Sequence, residues 1–370
     1  MYYRIPLYKK LDLCLFEYLG VIIDVSRFMP RFLKILSPLW LGFLISCDLA
    51  EMDLDNIDFD KWPQQPIQIA CFSSAGGGTD TVSRLIASAM EPELGVKINV
   101  INRTGARGGA ALNYVWRQKR DGYHWGGFSE SIIPAPVMGV HTTSSRDWTY
   151  FMVAGAPGVI SVQTNSKWKS LNDFIEYAKN HPGEIKVAAS STGGIWHTKM
   201  LALQNAAGVK FQYMPFQGSR KSITATLTGE VDAVLTSISE QSELIRSQKL
   251  LPLAMIEPED FEFPDYGMIQ SAAHEFPGIN DVPIKQWLGF ALPADTPTPI
   301  LEKITSAFES AIENESIQEF AQTRMLEIYG FHGQRSQNIA SYGERVWTWM
   351  LDDLGVTVRS PNAFGIARPE

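Results

Sequence analysis

Two hydrophobic periods alternate along most of this chain. Ile67-Gln-Ile-Ala-Cys-Phe72 is a short apolar run, the pattern of a buried strand, and it enters the glycine turn Ser73-Ser-Ala-Gly-Gly-Gly78. Val82, Leu85, Ile86 and Ala89 then recur at helical spacing and predict a helix over 81–90. The unit repeats as a strand over 97–101, a glycine turn over 105–109, a helix over 110–120 and a strand over 124–128. Val153 to Val162 reads as one further strand, and a helix over 170–180 is stopped by His181-Pro-Gly183. A second set follows: a strand at 186–189, the small-residue turn Ser190-Ser-Thr-Gly-Gly194 and a helix over 196–207. Strands at 210–213, 231–235 and 251–256 and a helix over 221–228 complete it. Residues 257–282 carry no period and 287–292 are apolar. After Pro293 only helices are expected, over 298–314, 316–329 and 337–354. Strands alternating with helices predict an α/β architecture with largely parallel sheets. The order predicts two α/β domains, 66–161 plus 288–370 and 162–287, the late helices packing back on the first.

The 370 residues exceed what one core usually holds, which agrees with two domains. With 45% hydrophobic and 19% charged residues the composition is that of a globular protein. A net charge of −8 argues against a general nucleic-acid binder, and no nucleic-acid partner is expected. Cys14, Cys47 and Cys71 cannot build a disulfide framework. No C-x-x-C pair and no metal spacing among the six histidines is present, so neither metal nor cofactor is expected.

The N-terminal segment has its own logic. Arg31 to Lys34 is basic, Ile35 to Ile45 is mostly apolar, and Ser46-Cys47 follows, which reads as a secretory signal too short to span a bilayer. Leu44-Ile-Ser-Cys47 resembles the bacterial lipoprotein cleavage box, in which Cys47 becomes the lipidated first residue. Residues 1–46 are then a leader, and Met29 is a natural start that leaves 1–28 untranslated. Two short membrane-associated helices are the competing reading, which Asp12, Glu17 and Asp24 weaken. Asp48 resembles the signal for staying at the inner membrane, and the acidic, aperiodic stretch within 47–65 reads as a flexible stalk. The expected location is the periplasm, on the outer face of the inner membrane.

Candidate chemistry lies in the two turns. Each joins a strand to a helix, where the first N–H groups lack internal partners and carry partial positive charge. Such a turn can hold an anion without a charged side chain, although one alone is equally well read as a packing turn. Two facing a shared cleft are more telling. Enzyme motifs fail on spacing: Gly76-Gly-Gly-Thr-Asp80 lacks the G-K-[ST] of a phosphate loop, and Gly127-Phe-Ser-Glu-Ser131 is not G-x-S-x-G. His197 reads better as a packing or hydrogen-bonding group than as a base, and no catalytic residue is assigned.

Taken in order, the motifs resemble the Bug receptors, the solute-binding components of tripartite tricarboxylate transporters. Ser74-Ala-Gly-Gly-Gly-Thr-Asp80, with Arg84, is similar to their first ligand loop, and Ser190-Ser-Thr-Gly-Gly194 with His197 to the second. Asn102 to Gly109, Asp121-Gly-Tyr123, Pro215-Phe-Gln-Gly218, Gly229-Glu-Val-Asp232 and Trp287 to Pro293 are similar to other family elements. The resemblance implies a periplasmic binding protein, type II-like, closing two α/β domains on one small organic carboxylate. It implies contacts from Ser74, Ala75, Gly76, Gly77, Thr79 and Asp80 on one side. Ser190, Ser191, Thr192, Gly194 and His197 would supply the other, with Ser129 and Glu130 between them. Asp80 is expected to cap its helix and orient the loop rather than to touch an anion. The implied partners are permease subunits on other chains; membrane contact is through the lipid alone, and the receptor is a monomer.

Departures from the family pattern bear on the ligand. Thr104 replaces proline and Arg107 a small residue. Glu130 either faces the cleft, where it repels a second ligand carboxylate, or points to solvent at the rim. Trp196 faces cleft or core. Two other functions stay open: an exported hydrolase of a small acid, with His197 near Ser190 or Ser191 as its only candidate pair, and a sensor reporting to a membrane kinase.

Overall fold

A computed structural model of the protein describes residues 57–264, 266–281 and 285–369. The leader 1–46, Cys47 and the stalk up to residue 56 lie outside them. Inside them, the packed chain begins ahead of Pro66: the Trp62 indole is buried and donates to the Asp121 carbonyl at 2.9 Å.

The chain opens with β1 (Ile67–Cys71), α1 (Gly78–Leu94), β2 (Ile98–Asn102), α2 (Gly109–Trp116), β3 (His124–Ser129) and β4 (Trp148–Gly155). It continues with β5 (Gly158–Gln163), α3 (Leu171–Asn180), β6 (Lys186–Ala188), α4 (Ile195–Ala207) and β7 (Gln212–Met214). Next come α5 (Ser219–Leu227), β8 (Ala233–Ser237), α6 (Ile238–Arg246), β9 (Leu250–Met255) and the hairpin β10 (Phe261–Phe263) and β11 (Gly267–Ile269). The last elements are β12 (Leu288–Pro293), α7 (Thr298–Ile312), α8 (Glu315–Thr323), β13 (Glu327–Phe331) and α9 (Gly333–Asp353).

Apart from the two-stranded β10–β11 hairpin, the strands described form two sheets. One is ordered β13-β4-β12-β3-β1-β2, the other β7-β6-β8-β5-β9. Both are mixed, which corrects the largely parallel expectation: β1 runs parallel to β2 and β3, but β12 is antiparallel to β3 and β4, and β5 to β8 and β9. β5 and β12 are the strands reached when the chain changes sheet, so no crossover helix orients them; β13, which follows β12 in the same sheet, also runs antiparallel to β4. The single strand expected at 153–162 is two strands broken at Ala156-Pro157, one in each sheet. Accordingly β5 straddles the expected domain boundary at 161/162 and lies wholly in the second sheet. The chain returns just ahead of β12, and the two passages touch. Gln286 Oε1 accepts from the Ala156 N–H at 3.2 Å, and a Cβ on Gly155 would stand 2.1 Å from the Gln286 carbonyl oxygen. Only glycine permits that approach.

Two helical expectations shorten. α2 stops at Trp116 because Arg120 turns its guanidinium back on the helix end, donating to the Trp116 and Gln118 carbonyls at 2.8 and 2.7 Å. The helix expected through Tyr329 ends at Thr323, and β13 follows at the sheet edge. Met325 makes the turn at φ 56°, a left-handed conformation that a sequence normally announces with glycine. On the six-stranded sheet Trp125, Phe290 and Phe151 stack across neighbouring strands at 4.7 Å spacings, with Phe308 edge-on from α7.

Candidate functional site

The two small-residue turns have the same backbone. Gly77 and Gly194, which cap α1 and α4, sit at φ −75°, ψ 166° and φ −74°, ψ 169°. The Gly77 N–H donates to the Ser74 carbonyl at 3.0 Å, and the Gly194 N–H to the Ser191 carbonyl at 2.9 Å. The residues before them, Gly76 and Gly193, have φ 75° and 79°, the left-handed value that favours glycine at this place in the turn. Both cap residues are glycines and offer no side-chain acceptor of their own. Both N-termini therefore present backbone N–H groups and their partial positive charge to the space in front.

Each turn is braced from behind at the same spacing by a different group. The Gly76 N–H donates to Asp80 Oδ2 at 2.8 Å; the Gly193 N–H donates to His197 Nδ1 at 3.1 Å. Asp80 is buried and also receives Asn102 Nδ2 at 2.7 Å and Arg84 Nε at 3.1 Å. Burial pushes its carboxyl up, but Arg84, the Gly76 N–H and Asn102 outweigh that and hold it below the usual carboxylate range. His197 is buried against Tyr213, ring centroids 4.1 Å apart, and burial pushes its pKa down to about 4, so the ring is neutral. Tyr213 hydroxyl in turn donates to the Ser190 carbonyl at 2.8 Å.

A cavity of about 250 Å³ lies between these turns. Of the residues singled out from sequence, it brings together Ser74, Gly77, Thr79, Ser129 and Glu130 with Ser190, Ser191, Thr192 and Gly194. Ala75, Gly76, Asp80 and His197 do not line it; the last two stand behind their loops. His197 Nδ1 is occupied by a backbone N–H, while Ser191 Oγ donates to the Phe216 carbonyl at 3.5 Å, so the Ser–His pair of a hydrolase is not assembled. Trp196 lines the cavity and is also buried, its ring close against Gly158.

The walls carry charge beyond Glu130 and the departure already noted at Arg107. Arg107, Arg220 and Lys221 line the cavity, as does Glu240. Arg107 sits at φ 55° in the second glycine turn, and the Arg220 guanidinium lies against Gly76. Glu130 is neither solvent-facing nor free. It is 3% exposed, receives Ser131 Oγ at 2.9 Å and the Trp287 N–H at 3.0 Å, and burial pushes its carboxyl up to about 7. Glu240 has the S-x-x-E spacing of a helix start, a signal for capping rather than for a site. Its carboxyl is also raised by burial, against the Ser219 and Ser237 hydroxyls and the Ser237 and Gly78 N–H groups. Among the described residues no His/Cys/Asp/Glu group could hold a metal ion, and no helix is long and apolar enough to cross a membrane.

Residues 82–355 match the family described as tripartite tricarboxylate transporter family receptor. The chain is 24% identical over 312 residues to protein BugT of Bordetella pertussis, covering 82% of this chain and 93% of that one. An R. palustris protein solved with adipate superposes with a TM-score of 0.72 at 22% identity, over 80% of this chain and 99% of that one. MatC from Rhodopseudomonas palustris, solved with bound malate, gives 0.69 at 23% identity, over 79% and 99%.

Proposed function

The chain belongs to the tripartite tricarboxylate transporter receptor family, and from that premise we propose that it captures one small organic carboxylate in the cavity between the two turns and delivers it to permease subunits on other chains. The observation that carries the reading is the pair of matched turns, each aiming a glycine-capped helix N-terminus at one cavity. Ser74, Gly77 and Thr79 contact the ligand from one lobe, and Ser190, Ser191, Thr192 and Gly194 from the other. Asp80 and His197 act through the loops they brace. Arg107, Arg220 and Lys221 supply the countercharge for an anion, and the dicarboxylates held by the two R. palustris proteins set the size class to test first.

The lobes, expected at 66–161 plus 288–370 and 162–287 with β5 going wholly to the second, close about the paired passages at Ala156 and Gln286. The receptor works in the periplasm as a monomer tethered through a lipid on Cys47 and catalyses no reaction. Cys47→Ala is expected to leave the membrane fraction or to remain an uncleaved precursor.

The ligand test is to denature freshly purified protein, identify the released small molecule by mass spectrometry, and titrate it back by calorimetry. A carboxylate that rebinds unchanged is expected. Release of a non-acid, or conversion of the added acid to product, contradicts the reading.

A further inference from the structure

Glu240 stands where three helix N-termini meet. Its own helix α6 begins behind Ser237, whose hydroxyl donates to Glu240 Oε2 at 2.9 Å and accepts from the Glu240 N–H at 3.3 Å. Ser219, whose hydroxyl also favours the Glu240 carboxylate, is the first residue of α5. Gly78, whose N–H does the same, is the first residue of α1. A Cβ on Gly78 would lie 3.6 Å from Glu240 Oε1. Two of these helices follow strands of the five-stranded sheet; α1 belongs with the six-stranded one. One carboxylate therefore spans the lobes, and it lines the cavity at the same helix terminus that faces the ligand.

The positive ends of three helices around a single anion favour the charged form, while removal from water opposes it. The arrangement exists only with the lobes together. Opening them takes Gly78 away from Glu240 and leaves α1 capped only from its own loop, where the Ser73 hydroxyl accepts the Asp80 N–H at 3.1 Å. Asp80 and His197, by contrast, hydrogen-bond only within their own lobes.

We propose that Glu240 is a positioning residue for closure: its carboxylate docks on the N-terminus of α1 beside the ligand and holds the second lobe there. This rests on the carboxylate-receptor reading for its physiological meaning, but the contact can be tested without ligand. Amide hydrogen exchange is compared in the wild type, Glu240→Ala and Glu240→Gln. With no ligand added, Glu240→Ala should speed exchange over 74–81 by about tenfold, with 231–246 changed by less than about twofold. Glu240→Gln should restore most of the protection, because its amide oxygen keeps the place of Oε1 beside Gly78. A folded Glu240→Ala with unchanged exchange over 74–81 overturns the proposal, as does equal loosening of 231–246, which would mean that the carboxylate serves only its own helix. Calorimetry with malate and with adipate forms the second arm. Whichever probe the wild type binds should bind about tenfold more weakly to Glu240→Ala and recover in Glu240→Gln; unchanged affinity overturns the role in capture. If the wild type binds neither acid, the ligand size class fails while the exchange result still decides Glu240.

Discussion

The turns at 73–79 and 190–194 share one backbone and differ in what stands behind them. Their caps agree within a few degrees, their turns close on the same hydrogen bond, and each has a glycine N–H bound to the side chain four residues on. In the first loop that side chain is an ionised Asp80 tied to Arg84 and Asn102; in the second it is a neutral, buried His197 against Tyr213. Backbone geometry at the site can thus be preserved while its electrostatic support is exchanged. A carboxylate brace needs cationic partners on the solvent side, and Arg84 is half exposed. An imidazole brace needs only to be kept dry.

The largest effect should come from breaking the shared element. A Cβ on Gly77 would lie 3.1 Å from the Ser74 carbonyl oxygen, and one on Gly194 3.0 Å from that of Ser191. The collision is with the turn itself rather than with the space expected for a ligand. Gly77→Val and Gly194→Val should each weaken carboxylate binding at least about tenfold, or about 1.4 kcal/mol, by calorimetry. If one variant folds and binds as the wild type does, that turn serves packing alone and the equivalence of the two loops is lost.

Acid should separate the loops. Burial holds His197 at about 4, below its ordinary 6.5, so its stabilisation is complete above pH 6.5 and is lost as pH falls towards 4, where the unfolded chain takes up the proton first. The carboxyl of Asp80 is held low, so its contribution persists above pH 3.8 and is lost only as pH falls through its still lower folded value. Between pH 6.5 and about 4.5, amide exchange over 190–194 should rise before that over 73–80 changes. Simultaneous loosening would show that the two braces are not independent.

Glu130 should give the smallest and most selective change. Its carboxyl, raised to about 7 and bound to Trp287, lies in the wall between the loops. Glu130→Gln removes a negative charge and is expected to shift preference from mono- towards dicarboxylates by about 1 kcal/mol at an effective dielectric near 20. An unchanged ratio of affinities for a matched pair of acids would show that Glu130 secures the Trp287 segment without reading the ligand.

Much of the site could be read from sequence because its function is written in local turns. Ser74 to Thr79 and Ser190 to Gly194 are contiguous, and glycine before a helix has a direct backbone meaning. What was missed is non-local or disguised. Arg220, Lys221 and Glu240 reach the cavity only through tertiary packing, and Glu240 looks like an ordinary helix start. The strand β13 was hidden because Met325, not glycine, ends the preceding helix. The break at Ala156-Pro157 was hidden because both flanking strands are mostly apolar and buried on either side of it, so no change of period marks the passage between sheets.

The most direct test of the central claim, that both turns close on one carboxylate, is to follow the backbone amides of Gly78 and Thr79 and of Ile195 and Trp196 by NMR during titration with the acid recovered from the protein. Both pairs should shift together with one common midpoint. Shifts confined to one pair, or two different midpoints, would contradict it.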